Sequence, residues 1–141
     1  MPVGYSGTPL PKKLGIKAGE HIAVLGGPKD YSALLGQLPE GVRLGSAVTA
    51  KTRLVHLFVT ERRVLAEHLA HLRMQIEDER PVWVSWPKKA AKVPTNVTED
   101  VIREVALPLG LVDIKVCAVS EVWSGLKLVV RKELRSGSSA V

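Results

Sequence analysis

Cysteine is nearly absent from this 141-residue chain: Cys117 is the only one, so no intramolecular disulfide can form and no cysteine pair can hold zinc. A reducing cytoplasm is the compartment this implies. Aromatic residues are equally sparse, at 4%, with a single phenylalanine. No run approaches the ~18 consecutive apolar residues of a membrane span, and the opening MPVGYSGTPLPKK lacks the apolar centre of a signal peptide. The expectation is a protein that is neither exported nor membrane-bound. There is no Gly-x-Ser-x-Gly elbow and no Walker loop, which argues against acyl transfer and nucleotide hydrolysis.

What is present is enough apolar sequence for one ordinary core. The hydrophobic fraction is 45%, and a chain of this length buries roughly two-thirds of its unfolded surface. The formal charge of +6 and isoelectric point near 9.7 suit an anionic partner. The lysines and arginines nevertheless lie scattered among acids, never more than two in a row, unlike a dedicated nucleic-acid arm.

Periodicity gives the order of elements. Glu20 to Gly26 reads as a strand closed by Gly26-Gly27-Pro28, and Tyr31 to Leu38 as a helix stopped by Pro39-Glu40-Gly41. Val42 to Leu44 is a weak strand. Leu54 to Val59 and Pro81 to Trp86 are apolar almost throughout, as strands covered on both faces are. Between them Arg62 to Ile76 carries Leu65, Leu69, Leu72 and Ile76 on one helical stripe. Residues 87 to 97, with two prolines, read as a loop. Thr98, followed by Glu99 and Asp100, opens a helix that Pro108 ends. Val112 to Val119 and Leu126 to Lys132 alternate with period two across the break at Ser124-Gly125, and so predict an antiparallel pair. The fold class is therefore three-layer α/β, with a mainly parallel sheet ending in an antiparallel β-hairpin. Residues 1–19 read as an N-terminal arm, 20–134 as the single domain and 135–141 as a flexible tail. The arm, anchored through Leu10 and Leu14, is open to two readings: a lid over the crevice or a structural cap on the sheet.

This order of elements resembles the Rossmann-like sheet of class I S-adenosylmethionine-dependent methyltransferases, whose last two strands pair antiparallel. The family's Gly-x-Gly-x-Gly turn is represented here by Gly26-Gly27-Pro28-Lys29-Asp30, and its ribose-binding acid after the second strand by Leu44-Gly45-Ser46-Ala47. These departures lead to the expectation of no cofactor and no specific binding of S-adenosylmethionine. The strings YSGTPLPKKLGIK from Tyr5, WPKK from Trp86 and VDIKVCAVSEVWSGLKLVVRKE from Val112 are similar to a family of small bacterial proteins defined only by a domain of unknown function. That resemblance implies a cytoplasmic bacterial protein and carries no catalytic residue with it.

Ligands of open α/β sheets enter beyond the carboxyl ends of the strands. Those ends bring Gly26, Gly27 and Lys29, then Arg62 and Arg63, then Trp86, Lys88 and Lys89 toward one rim, offset by Asp30 and Glu61. Such a rim would attract a phosphate or carboxylate, helped by amide donors at the helix after Pro28. Trp86 beside two lysines can stack a base, or can simply be packed in the core. His68 and His71 stand three apart on a helix without a third ligand, so no metal site is expected. His56 and Cys117 read as packed core residues. Asp113 and Lys115 read as a surface ion pair on one strand face.

The functional expectation is a non-catalytic binding or regulatory protein whose cationic crevice takes a nucleotide, nucleic acid or acidic protein surface. A divergent, shortened methyltransferase is the enzymatic alternative. A third is an interaction module pairing through its hairpin edge, as in a homodimer.

Overall fold

The computed structural model describes residues 8–76 and 79–135. Six strands form one sheet in the order β2-β1-β3-β4-β6-β5: β1 His21–Leu25, β2 Arg43–Gly45, β3 Thr52–Phe58, β4 Val82–Pro87, β5 Leu111–Ala118 and β6 Trp123–Val130. β2, β1, β3 and β4 run parallel, and β6 is antiparallel to both β4 and β5. The mainly parallel Rossmann-like sheet with a closing hairpin is thus as the sequence predicts. The hairpin folds back between its own first strand and β4, so β5 forms the outer edge.

Burial explains the central strands. Every residue of β4 is buried, as is every residue of β3 except Arg53. Alternate side chains go to two cores. One holds Val55, Leu57, Val82, Val84 and Trp86 under the helices α3 (Arg62–Gln75) and α4 (Glu99–Ala106). The α3 stripe of Leu65, Leu69 and Leu72 is fully buried there, and Ile76 follows just past the helix end. α4 starts where Thr98 Oγ1 accepts the Val101 amide at 3.2 Å, with Glu99 and Asp100 in its first turn.

Among the described residues the other face has no long helix. It is covered by two helices of five residues each, α1 (Leu10–Leu14) and α2 (Tyr31–Leu35). Short helices leave a thin layer, and wide side chains fill it: Tyr31, His56, Phe58 and Trp83 pack with Leu10, Leu14 and Ile16. Trp83 Nε1 donates to the Leu14 carbonyl at 3.0 Å, fastening α1 to the sheet centre. Leu10, Leu14 and Ile16 of this segment are therefore part of the core layer. Residues 1–7 of the predicted arm and 136–141 of the predicted tail lie outside the described residues. Arg135, at the head of that tail, donates through Nε to the Val130 carbonyl at 3.0 Å.

Two local readings of the sequence are corrected. The helix from Tyr31 ends at Leu35 and not Leu38, because Gly36 takes a φ of +69°, off the helical path. In β5, a bulge between Asp113 and Lys115 places Asp113 opposite Leu128 and Lys115 opposite Lys127. Successive residues of β6 face opposite sides, so Asp113 and Lys115 do too and form no ion pair. Asp113 instead accepts from Arg103 Nε of α4 at 3.1 Å.

Candidate functional site at the carboxyl ends of the parallel strands

From β1 the chain turns through α2 on one face to β2, and from β3 it turns through α3 on the other face to β4. The direction of winding therefore reverses between β1 and β3, and a crevice opens at such a switch point. On the β1 and β2 side of it lies an open cleft of about 680 Å³, lined among others by Gly26, Gly27, Lys29, Tyr31, Leu44 and Ser46. A volume of that order suits a nucleoside-sized ligand.

Close approach of backbones shapes the cleft floor. Gly26 has a φ of +69°, and a Cβ there would sit 2.8 Å from the Phe58 carbonyl oxygen. At Gly27 a Cβ would lie 2.6 Å from Val24 Cγ1. The two glycines let the β1 loop cross directly over the end of β3. The Tyr31 amide is engaged by the Pro28 carbonyl at 3.0 Å and the Leu34 amide by that of Asp30 at 2.9 Å. The Leu34 bond is the helix's first regular i→i−4 bond, so of the amides expected to face an anion at this helix start, that of Tyr31 has an internal partner.

Beneath the cleft, Tyr31 leads into a buried polar chain. Its hydroxyl is 2.8 Å from His56 Nδ1, and His56 Nε2 is 2.7 Å from Ser85 Oγ. A neutral imidazole needs one nitrogen to donate and the other to accept, and a hydroxyl can do either. Burial pushes the His56 imidazole down to about 3 and raises the Tyr31 phenol above its ordinary value. Both stay uncharged at neutral pH. Phe58 stacks on His56 with centroids 4.3 Å apart and meets Tyr31 and Trp123 edge-on.

The predicted rim residues do not all gather here. Gly26, Gly27 and Lys29 line the cleft. Arg62, at the start of α3, reaches Glu104 of α4 at 2.7 Å, and Arg63 reaches Glu67 at 3.1 Å. The Arg62 amide is capped by Asn96 Oδ1 at 2.7 Å, which occupies the start of that helix. Both guanidinium groups thus have carboxylate partners along α3 and α4. Lys88 and Lys89 follow β4, with the Lys88 amide bonded to the Val122 carbonyl at 2.7 Å. Trp86 is only 9% exposed and packs in the core beneath α3 and α4, so as a base-stacking platform it is corrected: its ring faces are covered by protein. The partly exposed tryptophan is Trp123, paired in register with Pro87 at the end of β4.

Tyr31, Leu44, Gly45 and Ser46 belong to the cleft without having been predicted as ligand residues. The last three occupy the end of β2, where the strand-end rule that found Gly26 would have found them. Lys29 is the one charged residue among the residues that line it. His68 and His71 gain no third ligand: among the described residues no group of three metal-ligating side chains occurs. No described helix is long and apolar enough to cross a membrane.

Solved structures similar to this chain include methyltransferases. Ribosomal protein L11 methylase from Lactobacillus delbrueckii subsp. bulgaricus matches with a TM-score of 0.53 and 12% identity, over 86% of this chain and 75% of that one. The B. subtilis tRNA methyltransferase TrmK gives 0.55 and 11%, over 93% and 71%. Aeropyrum pernix fibrillarin, solved with natively bound S-adenosyl-L-methionine, gives 0.54 and 13%, over 89% and 70%. Other matched chains are longer, and this chain spans 49% of a riboflavin-derivative dimethyltransferase from Streptomyces davawensis and 47% of TrmN from Thermus thermophilus. At these identities the likeness establishes the fold alone, a Rossmann-like sheet. No family model matches the chain, and no curated protein sequence matches it either.

Proposed function

We propose that this chain is a methyltransferase-like protein that takes an adenosyl ligand of the S-adenosylmethionine class in the cleft beyond β1 and β2. The observation that carries the reading is the position of that cleft. It lies at the switch point of a sheet whose solved counterparts include methyltransferases and a fibrillarin with S-adenosyl-L-methionine bound. Gly26 and Gly27 would admit the ligand to the strand ends, and Ser46 at the end of β2 would offer a hydroxyl to a ribose. No side chain is assigned to methyl transfer itself.

A second reading is favoured by one specific feature. Lys29 brings positive charge to the cleft and no carboxylate among the lining residues balances it. That suits an anionic nucleotide better than a cationic sulfonium. Lys88 and Lys89 would extend such a site toward a polyanion, with steep dependence on salt.

Calorimetric titration separates the two. S-adenosylmethionine and S-adenosylhomocysteine should bind with micromolar affinity, and more tightly than ATP. Ser46→Trp should weaken that binding while preserving the fold, since Ser46 is exposed and lines the cleft. Binding of ATP alone would favour the anionic reading. Binding of none of the three would refute the adenosyl proposal.

A further inference from the structure

A second pocket, of about 500 Å³, lies between α1 and β5. Thr8, Lys12, Lys13, Lys115, Cys117 and Ala118 contribute to its walls, and among the described residues no carboxylate does. The lysines come from elements a hundred residues apart in sequence. Lys12 and Lys13 belong to the helix that Trp83 fastens to the sheet, and Lys13 Nζ donates to the Ala118 carbonyl at 3.3 Å.

Lys115 reaches this face only because of the bulge that follows Asp113. Without the extra residue, Lys115 would share the α4 side with Asp113, where acids are available to it. The bulge instead sets it directly across from Lys127 on the neighbouring strand. Like charges at directly opposed positions destabilise a sheet, so this arrangement costs folding energy that uncharged residues would not. Bulges recur where a strand must re-aim a side chain toward a site.

We propose that this pocket is a binding site for a diphosphate group, either free or as part of a small nucleotide. The ammonium groups of Lys12 and Lys115 come from two elements to a wall with no carboxylate among its described residues, and a bound diphosphate relieves their mutual repulsion while accepting hydrogen bonds from each. The volume suits a small ligand and not an extended nucleic-acid track. The site is separate from the cleft beyond β1 and β2 and does not depend on what that cleft binds.

Cys117, the only cysteine in the chain, lines the pocket and supplies a local reporter. Its alkylation by iodoacetamide is followed by mass spectrometry at constant ionic strength, with inorganic pyrophosphate or ADP as probe. Each at 1 mM should slow alkylation about fivefold or more. Lys12→Gln with Lys115→Gln should remove the protection, and Lys115→Arg should retain it. Both replaced lysines are exposed, so the fold should tolerate the change. Stronger protection by ADP identifies a nucleotide as the ligand; equal protection identifies the diphosphate alone. The proposal is overturned if pyrophosphate protects no better than chloride, if protection survives the double substitution, or if an oligonucleotide protects and pyrophosphate does not.

Discussion

The Tyr31 hydroxyl lies 2.8 Å from His56 Nδ1, tying the residue that opens α2 and lines the cleft to the centre of the sheet. His56 is wholly buried and held far below the ordinary imidazole value, at about 3, by loss of solvation. In the unfolded chain it would take up a proton near pH 6.5. Between those values the unfolded state binds the extra proton, so stability is complete above pH 6.5 and declines as pH falls toward 3, by up to ~1.4 kcal/mol per pH unit from this group. Urea unfolding at pH 7.5, 6 and 5 should show that decline, and His56→Gln should flatten it. Parallel profiles for the two proteins would remove His56 as its source.

Leu57 in β3 is fully buried beneath α3. Leu57→Ala should cost roughly 2–5 kcal/mol through lost transfer energy and the cavity left behind. Denaturant titration measures it, and a loss below about 0.5 kcal/mol would contradict the central position of β3.

The glycine loop makes a sharper contrast. Gly26→Ala forces a side chain into a left-handed conformation and against the Phe58 carbonyl, whereas Gly45→Ala meets open space. The first should cost more than about 1 kcal/mol and the second only a few tenths. Equal melting temperatures for the two variants would show that the β1 loop does not cross β3 as described.

Trp83→Phe removes the donor to the Leu14 carbonyl and leaves that oxygen without its partner. The expected cost is about 1–3 kcal/mol. Loss of α1 docking should appear as faster proteolysis within residues 8–19, and an unchanged digestion pattern would detach α1 from the Trp83 anchor.

Much of this fold is legible in the sequence because the decisive signals are periodic. The continuous apolar runs of β3 and β4 mark doubly covered strands, and the leucine stripe of α3 marks one face of a helix. The failures have equally local causes. α1 is too short for a helical stripe and begins beside two prolines, so only its contact with Trp83 reveals it. A bulge adds one residue without disturbing the alternation of β5, and every facing assignment after Asp113 therefore shifts unseen. The strand-end rule points to Gly26, Gly27 and Lys29, which line the cleft. It carries no information on side-chain direction, so it does not reveal that Arg62 and Arg63 turn to carboxylates on α4 and α3. Trp86 and Trp83 sit on opposite sheet faces, yet both are core, because β4 is covered on each.

The most direct test of the adenosyl site is an amide NMR titration with S-adenosylhomocysteine. Saturable shifts confined to Gly26, Gly27, Tyr31, Gly45 and Ser46 are the expected result. Shifts confined to residues around Lys12 and Lys115, or none at millimolar ligand, would contradict it.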